Sequence, residues 1–302
     1  MHTSRRTFIK KSSILLAGAG MLKSDLLTFT KPDMLTGIQL YSIRDEMKKD
    51  AAGTLKQLAS YGYKYVEHAN YVDRKFYGYG AVDFKKLLKD MDLQMRSGHT
   101  VMGRQHWDDS KKDFTDLWKY TVEDAATVGQ DFVISPSLDE SYRKNYDDLK
   151  RQMEVFNKSG ELCKKSGMKF GYHNHDFEFS QKLNGEPVYD IILNNTDPEL
   201  VIQQLDIGNL YNGGAKAIDI VRKFPGRFVS MHVKDEIPVS GSNEKYESTI
   251  LGKGIVNVKE VIDLGRKSGG TRHFIIEQES YQGQSPLDTA KEDLAIMKTW
   301  GY

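Results

Sequence analysis

Phe170-Gly-Tyr-His-Asn-His-Asp-Phe-Glu-Phe179 reads as the end of a buried strand that runs into two histidines and two carboxylates. Strand side chains alternate between faces, so His173 and His175 are expected to point the same way. Two imidazoles side by side suit a metal ion or a proton-transfer site better than a hydrophobic core. The plainer alternative is an exposed strand end with solvated histidines. The rest of the chain decides between them, because this stretch is one of a series.

Eight short apolar runs end in polar residues: Gly37–Tyr41, Tyr63–Glu67, Leu93–Ser97, Asp131–Ser135, Lys169–His173, Leu200–Asp206, Phe228–His232 and His273–Glu277. They recur every 25 to 40 residues or so, about the length of one βα unit. Helical patterns lie between them, among them Thr54 to Gly62, Leu149 to Gly167 and Val256 to Gly269, each closed by a glycine. Strands alternating with helices imply a parallel sheet, and eight units favour closure into a single (β/α)8 barrel. An open doubly wound sheet is disfavoured, because no Gly-rich phosphate loop follows an early strand. The polar insertion from Glu236 to Lys253 reads as a loop over the barrel mouth.

The chain has 302 residues, 39% of them hydrophobic, enough for a large core. A formal net charge of +1 and no long basic run beyond the first two dozen residues give no support to nucleic-acid binding. The lone cysteine, Cys163, excludes an internal disulfide and a cysteine-rich zinc site, and its helical surroundings mark it as buried. Ser4-Arg-Arg-Thr-Phe-Ile-Lys10 precedes a mild apolar stretch, Ile14 to Leu22. That pattern predicts a twin-arginine export signal and a periplasmic location, with residues 1–33 as signal and linker and 34–302 as the barrel. The apolar stretch is too short for a stable membrane span. A basic amphipathic terminal helix is the other reading.

Reactive groups in such a barrel belong at the C-terminal ends of the strands. There the fifth to eighth strands carry His173 and His175, then Asp206, then His232, then Glu277. A nitrogen and oxygen set of this kind fits one divalent ion such as Mn2+, Zn2+ or Co2+ better than Mg2+. An aspartate at a strand end is as often a helix N-cap, so the inference rests on four compatible ends in succession. Lys234 shares a face with His232 and is a candidate stabiliser of substrate oxygens, or else a surface-paired lysine. Gln39, Glu67 and His99 at other strand ends, with Glu178, are candidate substrate contacts; Tyr41 is either that or core. Trp107, with Arg104 and His106, reads as a packed loop rather than a sugar-stacking wall.

At these positions the sequence resembles the sugar phosphate isomerase/epimerase group of xylose isomerase-like TIM barrels, over about residues 36 to 300. The resemblance rests on Gly37-Ile-Gln-Leu-Tyr-Ser42, Tyr65-Val-Glu67, Ser97-Gly-His99, Tyr172-His-Asn-His-Asp-Phe-Glu178, Leu205-Asp-Ile-Gly208, His232-Val-Lys-Asp235, Leu251-Gly-Lys-Gly-Ile255 and Glu277. It implies one divalent metal held from strands five to eight by Glu, Asp, His and Glu. Asp206, His232 and Glu277 match that pattern, and His173 stands in the place of the first glutamate. The departure weakens a symmetric two-glutamate epimerisation and resembles the inosose dehydratase branch. Homodimers are common in the group.

The resemblance implies an isomerase or epimerase of a sugar or keto-sugar working through an enediolate, with Glu277 as a candidate base; His175 is another, because an imidazole titrates near working pH. A lyase or dehydratase acting on a 3-keto-glycoside or inosose is the alternative. A sugar-binding protein without catalysis is the non-enzymatic one. Phosphorylated substrates are disfavoured by the export pattern and by the lack of a phosphate cradle. Abasic-site DNA repair needs more strand-end histidines, and Asn209 stands where that enzyme type has one.

Overall fold

The computed structural model describes residues 34–240 and 245–302, so the expected export signal lies outside the described residues. Eight parallel strands close into a barrel: β1 (Leu35–Gln39), β2 (Tyr65–His68), β3 (Gln94–His99), β4 (Phe132–Ser135), β5 (Lys169–His173), β6 (Val201–Asp206), β7 (Ser230–Val233) and β8 (His273–Ile276). Neighbours in the barrel are neighbours in sequence, and β8 closes on β1 through the pairing of Leu35 with His273. A helix follows each strand: α1 (Ala51–Tyr61), α2 (Ala81–Asp90), α3 (Asp116–Val128), α4 (Tyr146–Lys164), α5 (Val188–Asn195), α6 (Ala217–Lys223), α7 (Val258–Leu264) and α8 (Pro286–Thr299). All eight expected strands are present, with ends shifted by a residue or two.

Strand side chains facing the helices are apolar. Ile38, Val66, Met95, Met231, Val233, Phe274 and Ile276 join one buried cluster, and Val133, Phe170, Tyr172 and Val201 join a second. Helix α4 shows the matching pattern: Leu149, Met153, Phe156, Gly160 and Cys163 are buried on one stripe, and Asn145 caps the first turn through the Asp148 amide. Cys163 is buried, as its surroundings predict.

The inside of the barrel is different. Phe132, Ile134 and Ile202 form a small apolar plug. Several other inward positions are polar, and they bond across the lumen. Gln204 of β6 donates to Glu67 of β2 at 2.9 Å and to Ser230 at 3.0 Å. Strands two and six lie on opposite sides of the barrel, so only inward side chains can make that contact.

The insertion after β7 is more ordered than the expected loop. Asp235–Pro238 pairs antiparallel with Tyr246–Thr249. The Asp235 carboxylate explains its return path, accepting from the amides of Gly252, Gly254 and Val256. Trp107 packs against Phe114 with ring centroids 5.0 Å apart, in agreement with a packed loop. Among the described residues, no helix is long and apolar enough to cross a membrane.

Phe170 is fully buried between Trp118 and Phe156, joining β5 to α3 and α4. Phe170→Ala is expected to destabilise the barrel by about 3–5 kcal/mol, read as a lower denaturation midpoint in urea.

Candidate metal centre and its cavity

Strands β5 to β8 end side by side, and their register aligns the donors. Asp206 is the direct partner of His232 across β6 and β7. His173, Asp206, His232 and Glu277 each present one ligand atom, all within 4.8 Å of one another, and all four residues are buried. His232 Nδ1 lies 3.0 Å from Glu277 Oε2 and 3.7 Å from Asp206 Oδ2, and His173 Nε2 lies 3.8 Å from Asp206 Oδ2. A tetrahedral ion with bonds near 2.1 Å separates its ligand atoms by about 3.4 Å, so these gaps are of the right size.

Two features show that the donors fit a cation. Asp206 Oδ2 is buried with no hydrogen-bond partner, a costly state for a carboxylate oxygen. Its sister, Oδ1, accepts from the Asn209 amide at 2.7 Å, so Asp206 caps the next helical turn and still keeps one oxygen for the site. The histidines are also oriented from behind. His232 Nε2 donates to Glu67 Oε1 at 2.7 Å, which leaves Nδ1 as the nitrogen that faces the other ligands, 3.0 Å from Glu277 Oε2. His173 Nδ1 lies 3.1 Å from Gln204 Oε1, a carbonyl-type acceptor, which frees Nε2 in the same way. Such rear hydrogen bonds fix the tautomer and raise ligand basicity.

Electrostatics follow from this crowding. Burial would raise the Glu67 carboxyl, but the His99 and His232 imidazoles outweigh it and hold it at about 2. Burial would depress His232, but the Glu277 and Glu67 carboxylates outweigh it and push it up to about 10, so a cation bound at Nδ1 would have to displace the proton that faces Glu277 there. Burial depresses His173 well below its usual value, helped by His232 and His99, so it is a neutral ligand. Asp206 is pushed up, by burial first and with Glu277 adding to it.

The ligands open into a cavity of 790 Å³ whose lining includes His99, His173, His175 and Glu277, with Tyr41, Tyr71 and Tyr120 on its walls. His175 follows the strand, and its ring centroid is 5.4 Å from that of His173. Burial, then Lys234, depress its imidazole, leaving it neutral. Lys234 is buried; Nζ pairs with Glu279 and stands 3.6 Å from Glu277 Oε2 and 4.0 Å from Asp206 Oδ2. Gly208 makes room for it, since a Cβ there would meet Lys234 Cγ at 2.8 Å.

Three expected substrate contacts are placed elsewhere. Gln39 and Glu67 are fully buried beneath the ligands, where Gln39 donates to Glu67 at 2.9 Å and Ser97 donates to the same carboxylate. Glu178 is also fully buried, because the short helix Phe177–Ser180 turns its side chain inward. There it accepts from Tyr172 and from the His175 amide at 2.9 Å, and so braces the chain that carries His175. His99 and Tyr41 do line the cavity. The sequence reading missed Gln204 and Glu279. Each lies two residues from a ligand, Asp206 and Glu277 respectively, and that spacing is the signal that points to them.

Barrel and site together define a class of barrel protein with a group of four donors at the C-terminal mouth that could hold a metal ion. The sequence pattern of the xylose isomerase-like TIM barrels matches residues 55–300, and the chain belongs to that family. An inosose dehydratase of Clostridium perfringens is 32% identical over 101 residues, 33% of this chain and 33% of that one, so the match spans a third of that relative's length. A solved sugar phosphate isomerase/epimerase from Parabacteroides distasonis superposes with a TM-score of 0.75 at 25% identity, covering 91% of this chain and 97% of that chain. The IOLI protein, solved with a zinc atom bound, gives a TM-score of 0.69 at 13% identity over 89% of this chain and 99% of that one, a likeness of fold.

Glu67→Gln removes the charge behind His232 without changing shape. It is expected to weaken divalent-metal affinity about 10–100-fold, measured by competition with a chelating dye, while Phe170→Ala leaves that affinity unchanged.

Proposed function

We propose that this chain is a divalent-metal-dependent enzyme that takes the proton beside the carbonyl of a keto-sugar and expels a β-oxygen substituent, as a lyase or dehydratase. The observation that carries the reading is the meeting of His173, Asp206, His232 and Glu277 in one coordination sphere, beside a cavity that also holds His175. A divalent ion held there would polarise the carbonyl and offset the charge that develops when the adjacent C–H ionises. The IOLI zinc supports zinc as that ion, with manganese and cobalt fitting the same donors.

His175 is the base in this reading. Its ring bonds to no other described side chain, its imidazole is neutral, and it borders the cavity. The Lys234 ammonium, held charged by Asp206, Glu277 and Glu279 against the cost of burial, stabilises negative charge on substrate oxygen. His99 contacts the substrate from the cavity wall. Epimerisation requires proton-transfer groups on both faces of the carbon. Strand β5 supplies His173, whose two nitrogens face Gln204 and the other ligands, so it offers none. This favours elimination over the isomerase or epimerase reading, as does the inosose dehydratase relative. The isomerase reading keeps support from the Parabacteroides structure.

Incubation of the zinc-loaded protein with an inosose or a 3-keto-glycoside is expected to give a product lighter by water or by the aglycone. His175→Ala should lower kcat by about 10²-fold or more with zinc content unchanged. Conversion without loss of mass would instead establish the isomerase, and no turnover of either substrate would overturn the proposal.

Export is part of the same proposal and rests on Arg5 and Arg6 ahead of the apolar stretch. The protein is expected in the periplasmic fraction, and replacement of both arginines by lysine should retain it in the cytoplasm.

A further inference from the structure

Beside the four donors lies a second cavity of 700 Å³, of whose lining the proposed chemistry uses Lys234 alone. Its lining includes Arg44, Asp176, Asn212, Glu236, Tyr246 and Glu247, and among the described residues lining it there is no aliphatic side chain. The first cavity has Val72, Val101 and Leu117 in its walls. The two share Asn209 and Glu279, and Lys234, ion-paired to Glu279, lines the second. They are therefore adjoining chambers with this ion pair between them, and each is large enough for a small ligand.

Glu236 sets the second chamber apart. It is 1% exposed, and its Oε2 is buried with no hydrogen-bond partner. Burial, opposed by Lys234 and aided by Asp206, pushes its carboxyl up to about 8. A carboxyl oxygen accepts from a hydroxyl in either protonation state. An unanswered group of this kind in a polar chamber calls for a hydroxyl-rich partner. Tyr246 is held edge-on by Tyr211, with ring centroids 5.1 Å apart, and supplies the one aromatic surface among the described residues of the lining. An aromatic face with acid, amide and guanidinium groups around it suits a polyhydroxylated ring. An apolar aglycone would leave those groups unpaired.

We propose that this chamber binds the second sugar unit of a disaccharide whose first ring lies over the metal centre, with Glu236 contacting its hydroxyls. The proposal rests on the keto-sugar reading and narrows it to a disaccharide-type glycoside. Lys234 and Glu279 then stand where the linkage between the two rings passes.

The test is calorimetric titration of the zinc-loaded full chain with glucose and, separately, with trehalose, cellobiose and maltose. At least one disaccharide is expected to bind about tenfold or more tighter than glucose. Glu236→Gln, which keeps the shape, and Asn212→Trp, which fills the chamber, should each remove most of that advantage. Glucose affinity and zinc stoichiometry should stay unchanged in both. Glucose binding with no disaccharide advantage, or an advantage that survives both variants, overturns the subsite and leaves the keto-sugar reading standing. Failure of glucose and of all three disaccharides to bind overturns the subsite, whereas the keto-sugar reading falls separately, on the absence of turnover of an inosose or a 3-keto-glycoside.

Discussion

Three carboxylates, Glu67, Asp206 and Glu277, are buried in one small region of this barrel, and the rest of the site is arranged around compensating them. Each buried ion costs several kcal/mol unless it is paired and hydrogen-bonded. The chain supplies His232, wedged between Glu67 and Glu277, and Lys234, which stands within 4.0 Å of both Asp206 and Glu277. One oxygen of Asp206 is left without a partner. A divalent ion held among the four donors would answer that deficit, and would account for a barrel that keeps so much charge inside.

The second consequence concerns layers. Outward strand positions bind the helices through apolar contacts and carry the stability of the barrel. Inward positions bind one another through Glu67, Ser97, Gln204 and Ser230. This polar layer is a platform: Gln204 reaches His173 and His99 from below, and Glu67 reaches His232. The ligands are thereby fixed by hydrogen bonds on rigid strands, while the loops above are left to shape the cavity. Division of labour of this kind lets one barrel host different chemistries by changing its upper residues.

The eight strands were legible because each is a short apolar run with a polar end, and the spacing repeats. The ligands were legible because strand ends face one mouth in such a barrel, so His173, Asp206, His232 and Glu277 share a location before any contact is known. Depth was not legible. Gln39 and Glu67 also end strands, but Gln39 pairs with Glu67 and Glu67 with Ser97 in the register, and this sets them in the layer below the cavity. That stagger belongs to the closed sheet and to no single strand. Glu178 was misread for a local reason, since the short helix after β5 turns it inward. The hairpin after β7 was hidden because its return is fixed by Asp235 accepting amides 17 to 21 residues away.

The most direct test is an anomalous-scattering difference map from crystals of the protein purified without chelator, recorded at the zinc, manganese and cobalt edges. The account predicts a single strong peak at one edge, about 2.0–2.3 Å from His173 Nε2, Asp206 Oδ2, His232 Nδ1 and Glu277 Oε2. A map with no peak among these four atoms, or with Lys234 Nζ lodged between them, would contradict it.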